Sequence, residues 1–151
     1  MSDKIRCPWL EDIPIYIDYH DKEWGRPVHD DTMLFELLIL EGMQAGLSWL
    51  TILKKRENFR AAFDGFDPSK VVLYNEAKVN ELMSNVGIIR HHGKIEATIN
   101  NAKIFLEVQA KDSSFDKFIW RYVDNTPIIS HLESFEGIPA TTALSDKISK
   151  T

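Results

Sequence analysis

Cysteine is nearly missing from this chain. Cys7 stands alone among 151 residues, so no internal disulfide is possible and a reducing compartment, the cytoplasm, is the expected setting. Long apolar runs are missing too. None approaches the roughly 20 residues of a spanning helix, and no membrane role is expected. The opening residues Met1-Ser2-Asp3-Lys4-Ile5-Arg6 lack the apolar block of a secretory signal. There is no repeat, no low-complexity tract and no Gly-rich phosphate loop. Positive charge is in short supply: 18 Lys and Arg face 23 Asp and Glu, a net charge of −5. That balance argues against wholesale nucleic-acid binding, but its distribution weakens the objection. Residues 1–40 hold four basic against nine acidic side chains, residues 41–110 nine against eight, and residues 111–151 five against six. The acid is at the front, and the neutral-to-basic middle is enough for a footprint of a few phosphates.

What is present is helix. With 44% hydrophobic residues, 151 residues make one domain with a sizeable core, and residues 1–151 are read as such. Asp30-Asp31-Thr32 announces a helix carrying Leu34, Phe35, Leu37, Leu38 and Ile39, apolar on most sides and so expected to be deeply buried. Gly42 and Gly46 favour a break within Glu41–Gly46. Ser48 caps a second helix with Trp49, Ile52, Leu53, Phe59, Ala62 and Phe63. Asp67-Pro68 is a cap with proline at the first helical position. A short helix covers about 76–85 and stops at Gly87, read as a C′ glycine. A long helix after Gly93 aligns Ile95, Ile99, Ala102 and Phe105. Ser113 or Ser114 caps a helix with Phe115, Phe118, Ile119 and Tyr122, which Asn125-Thr126-Pro127 ends. Residues 125–142 read as irregular. Ser145 starts a final helix that reads as cut short, and the chain is expected to be a truncated form of something longer.

Three constellations bear on chemistry. Gly87-Ile88-Ile89-Arg90-His91-His92-Gly93-Lys94 has the form of a helix–hairpin–helix. Its backbone N–H groups and the start of the next helix favour an anion, and Arg90 and Lys94 add charge for phosphate oxygens; a plain turn between core helices reads equally well. Around residues 9–49 lie Trp9, Tyr16, Tyr19, Trp24, Trp49 and Glu41, a supply of flat rings and one carboxylate within an apolar stretch. Taken singly the rings read as core. Glu41 with Trp49 reads as a site, because a buried carboxylate needs a partner and a flat cationic ligand would be one. Cys7 and His20 are zinc-ligand types, but a structural site takes four donors and the residue types alone do not support one. Cys7 has no context of a catalytic nucleophile.

Four blocks in order resemble a known family: Tyr19-His20-Asp21-Lys22-Glu23-Trp24-Gly25; Leu40-Glu41-Gly42-Met43-Gln44-Ala45-Gly46-Leu47-Ser48-Trp49; Thr51-Ile52-Leu53-Lys54-Lys55-Arg56-Glu57-Asn58; and Gly87-Ile88-Ile89-Arg90-His91. Together they resemble the bacterial 3-methyladenine DNA glycosylase I (Tag) family of the helix–hairpin–helix superfamily, from about Arg6 to Lys150. The resemblance implies an all-α helix–hairpin–helix glycosylase fold, with two helical lobes around a base pocket. It implies excision of 3-methyladenine from alkylated double-stranded DNA by a monomer, without a lyase step. By matching position, Glu41 would contact the edge of the flipped base and act in catalysis, Trp49 would stack on its face, and Tyr16, Tyr19 and Trp24 would line the pocket. Gly46 and Leu47 would lie at the DNA surface and fill the gap left by the extruded nucleotide. Cys7 and His20 would be two of four zinc ligands, the remaining His and Cys belonging to a C-terminal helical segment of the family that does not occur here. A truncated, catalytically impaired damage-binding module is the rival expectation, and a purine-binding protein a third. Asp112 and Asp116 lie beyond the hairpin, and the resemblance assigns the catalytic aspartate role to neither.

Overall fold

The structure, a computed structural model, describes residues 4–151; the reading of Met1, Ser2 and Asp3 as part of a polar N-terminus lies outside them. Among the described residues there are helices and no strand, the all-α class expected. Eight α-helices follow in order: α1 (Pro14–Lys22), α2 (Asp31–Met43), α3 (Trp49–Ala62), α4 (Pro68–Val71), α5 (Glu76–Met83), α6 (His92–Asp112), α7 (Phe115–Trp120) and α8 (Ala143–Ser149). The chain forms two compact units, Val28–Phe118 and Met1–Pro27 with Ile119–Thr151.

In the Val28–Phe118 unit, side-chain caps start the helices where local chemistry predicts. Asp30 accepts from Met33 N–H, Ser48 from Thr51 N–H, Asp67 from Ser69 N–H and Asn75 from Lys78 N–H. Each satisfies a donor that the first turn leaves orphaned, worth about 1 kcal/mol. α6 packs against α2, α4 and α5. The core is aromatic: Phe35, Phe59, Phe63 and Phe66 are fully buried. Phe63 stacks on Phe66 at 5.9 Å and Phe105 on Phe115 at 4.5 Å. Burial of each such ring stabilises the fold by roughly 2–3 kcal/mol. α6 buries Ile95, Thr98, Ala102 and Phe105, with Ile99 only half-buried. Thr98 is tolerated there because its hydroxyl donates to the Lys94 carbonyl at 2.8 Å.

Three expectations change. α2 is not buried all round: Phe35, Ile39, Leu40 and Met43 face inward, whereas Leu38 is 48% exposed. Gly87 is not a left-handed cap residue. It sits in a turn after α5, and a Cβ there would meet the side chains of Asn58 and Asn85 at 3.1 Å. The glycine lets two asparagine side chains approach closely, and its amide and carbonyl are held by Asn85 and Asn58, at 2.9 and 3.1 Å. The start of α7 is capped from two directions. Ser114 accepts from Lys117 N–H, while Asp31, in the first turn of α2, accepts from the N–H groups of Phe115 and Asp116 and from Gln109 at 2.8–2.9 Å. Burial pushes the Asp31 carboxyl up, and these three donors outweigh it and hold it below the ordinary value.

In the other unit, Pro14 at the first helical position starts α1. Arg6 grips Asp21 through Nε at 3.0 Å and a terminal nitrogen at 2.8 Å. These bonds, with one from His20, hold Asp21 well below the usual carboxylate range. Residues 125–142 are irregular and exposed, as their composition predicts. α8 begins two residues earlier than expected. Thr142 is its cap, and Ser145 completes a reciprocal capping box instead of starting the helix.

Candidate active site

Glu41 lies in the last turn of α2, and Trp49 is the first residue of α3. Residues 44–48 join the two helices as a tight linker. Gln44 N–H donates to the Leu40 carbonyl, Ala45 N–H to Gly42, and Leu47 N–H to Gln44 at 2.6 Å. Gly46 has φ +78°, a left-handed conformation that side chains rarely adopt. The sequence therefore forces the acid and the indole onto neighbouring helix ends. Trp49 is buried. The Glu41 residue is largely exposed, yet neighbouring atoms shield its carboxyl enough for desolvation to push it above the ordinary glutamate value. Leu47, at the tip of the linker, presents an apolar side chain that is 42% exposed.

The hairpin takes the expected position. Ile88 is buried beneath it, Arg90 is exposed, and α6 starts at His92 with His91 as its cap, two residues before the predicted start. Lys94 differs from expectation. Its ammonium donates to the carbonyls of Met43 and Ala45, at 2.8 and 2.6 Å. The last carbonyls of a helix lack intrahelical partners and carry the negative end of its dipole, so a cation reaching them from another helix is well placed. Two of the three ammonium donors thus serve the α2–α3 linker and not a phosphate. Asn58, in the third family-like block, holds the hairpin carbonyl of Gly87 at 3.1 Å, a role its residue type alone does not signal. Asp116, noted as a downstream aspartate, is hydrogen-bonded to His29 at 2.6 Å. A groove of about 730 Å³ lined by Tyr74, His92, Glu96 and Lys103 contains none of the predicted site residues.

The other unit gathers its aromatics around Trp9. Trp9 meets Tyr16, His20 and Trp24 edge-on, with centroids 4.9, 5.5 and 5.5 Å apart, and His20 stacks on Trp24 at 5.3 Å. Desolvation, then the charge of Glu11, pushes the Tyr16 hydroxyl above its ordinary value. Tyr19 lies on α1 and is half-buried. Trp9, which the sequence marks only as one aromatic among several, is the ring that organises the cluster. Trp24 keeps 46% of its surface exposed.

The two proposed zinc donors belong to this unit. Cys7 is a half-buried free thiol preceding the turn at Pro8–Leu10. His20 Nδ1 is engaged by Asp21 at 2.9 Å, which leaves Nε2 as its ligand nitrogen. Among the described residues no group of three or more His, Cys, Asp or Glu side chains gathers about a metal position. The donors present therefore do not fit a four-ligand zinc site.

The family model for methyladenine glycosylase matches residues 9–151. The chain belongs to the methyladenine glycosylase family. The match contains Tyr16, Tyr19, His20, Trp24, Glu41, Trp49 and the hairpin, and begins after Cys7. Among curated methyladenine glycosylases the chain is 48% identical to DNA-3-methyladenine glycosylase 1 of Escherichia coli K12 and 46% identical to DNA-3-methyladenine glycosylase of Haemophilus influenzae. Each comparison runs over 145 residues, 96% of this chain and 78% of the relative. A crystal structure of 3-methyladenine DNA glycosylase I superposes with a TM-score of 0.92 at 49% identity, covering 97% of this chain and 80% of the other. The helical glycosylase fold implied by the four sequence blocks is the fold this chain has.

Proposed function

We propose that this chain hydrolyses the N-glycosidic bond of 3-methyladenine in alkylated double-stranded DNA and leaves an abasic site without cutting the strand. The observation that carries this is 46–48% identity, over 96% of the chain, to DNA-3-methyladenine glycosylases. The same observation disfavours a non-catalytic damage-binding module.

The chemistry asks little of the protein beyond recognition and electrostatics. A purine methylated at N3 is a cation, and its glycosidic bond is already weakened. When that bond breaks, the electron pair passes to the ring nitrogen and the base departs neutral. Water adds its oxygen to the sugar carbon and releases a proton to solvent. Extrusion of the nucleotide costs a few kcal/mol, least for a damaged base. In this reading Glu41 contacts the edge of the flipped base and stabilises the developing sugar cation. Trp49 covers the face of the base, and Tyr16, Tyr19 and Trp24 are taken as base-binding residues by their position in the family match. Leu47, raised on the Gly46 turn, fills the gap in the duplex, and Arg90 contacts phosphate. No lysine Schiff base is involved, so the strand is left uncut. Release of free 3-methyladenine from methylated duplex by the purified chain, followed by chromatography, is the direct test; intact bases after prolonged incubation would refute it.

With Cys7 and His20 as its only two proposed donors, the chain is expected to keep far less than stoichiometric zinc after dialysis against a chelator. Metal analysis of the dialysed protein checks this, and one equivalent retained would overturn it.

A further inference from the structure

Lys94 occupies the third position of α6. A cation in the first turn of a helix lies at the positive end of the dipole and is disfavoured. Here the side chain leaves its own helix and ends between the carbonyls of Met43 and Ala45, at 2.8 and 2.6 Å, where the dipole of α2 is negative. Its backbone is fixed as well. The Lys94 N–H donates to His91 Nδ1 at 3.1 Å and its carbonyl accepts from Thr98 at 2.8 Å. The anchor is therefore rigid at both ends. What it holds is the linker between Glu41 and Trp49, which turns at Gly46 with φ +78°. Asn58 holds the other side of the hairpin through Gly87.

We propose that Lys94 is a positioning residue of the base-binding site: by clamping the Met43 and Ala45 carbonyls it makes the hairpin and the Glu41–Trp49 linker a single rigid piece. This rests on the glycosylase reading above. Removing the clamp leaves both side chains present but loosely placed, and misplacement of about 1 Å can cost on the order of 100-fold in activity.

The test uses Lys94→Met, which keeps the stem and loses the donors, and Lys94→Gln, which keeps a neutral donor. Three readouts separate the alternatives. Hydrogen exchange at the Ala45 and Leu47 amides reports the clamp itself and is expected to speed up in Lys94→Met. Affinity for free 3-methyladenine, followed by tryptophan fluorescence, is expected to fall about tenfold in Lys94→Met and less in Lys94→Gln. The salt dependence of undamaged-duplex binding is expected to match wild type in both. Unchanged exchange and base affinity, with a salt slope reduced by about 0.9, would show a phosphate contact and overturn the proposal. Either variant alone discriminates if the other fails to fold. A wild-type chain that binds no 3-methyladenine would count against the glycosylase reading, whereas the exchange rates would still judge the clamp.

Discussion

Glu41→Ala is expected to reduce 3-methyladenine release by about 100-fold or more, while affinity for undamaged duplex stays within about twofold of wild type. The separation follows from where the charge acts. Duplex affinity comes mainly from phosphate contacts, and Glu41 adds a negative charge that cannot improve them. Its benefit arises only once a cationic base has been extruded and positive charge is developing on the sugar. Single-turnover release from methylated DNA, measured beside duplex binding, checks both halves. Wild-type release by the variant would remove Glu41 from the mechanism. Glu41→Gln refines the point: the amide keeps the shape and one acceptor, so any activity it retains measures hydrogen bonding without charge. Desolvation holds the free Glu41 carboxyl above the ordinary glutamate value of 4.5. The anionic form is the active one, so kcat/KM, which reports free protein, should fall on acidification through a pH above that value. In the complex the bound cation favours the charged carboxylate, and the corresponding fall in kcat should lie at lower pH.

Arg60→Met is expected to cost about 2–4 kcal/mol of stability, a figure discounted because Arg60 is partly exposed. Glu36 lies on the core face of α2 at 6% exposure. The Arg60 guanidinium, from α3, meets both of its carboxylate oxygens, Nε at 2.5 Å and a terminal nitrogen at 3.0 Å. The third nitrogen reaches Glu57 at 2.5 Å. Without Arg60 the Glu36 carboxylate is left in the core with no cation, and the folded state bears the desolvation cost. A melting temperature lower by roughly 5–10 °C is the corresponding shift for a chain of this size. The double variant Glu36→Leu with Arg60→Met removes both charges and should recover most of the loss, because a matched apolar pair can replace a buried ion pair at little cost. Urea or thermal denaturation of the three proteins decides it. A double variant no better than Arg60→Met would show that packing around Arg60, and not the charge on Glu36, sets the stability.

Much of the fold was legible in the sequence because its signals are local. Asp30, Ser48 and Asp67 act on amides two or three residues away, so residue type and spacing suffice to find them. The hairpin was legible from its glycines and its place between periodic segments. Boundaries slipped by one or two residues where several capping residues compete, as at His91 against Gly93 and at Thr142 against Ser145. The burial of α2 was overestimated because an apolar run with little periodicity does not say which side chain faces out, and Leu38 does.

The site divides in the same way. The blocks around Glu41, Trp49 and the hairpin determined the family, the all-α class and the neighbouring placement of acid and indole, since a five-residue linker allows no other. Three relations were decided only by tertiary structure: Lys94 at the carbonyls of Met43 and Ala45, Asp31 at the amides of Phe115 and Asp116, and Arg60 at Glu36. Their partners lie 24 to 85 positions apart. Such pairs leave no periodic trace in the chain. A lysine beside a hairpin is the same lysine in sequence whether it faces a phosphate or a helix end, and only the packing of α6 against α2 brings the unpaired carbonyls within its reach.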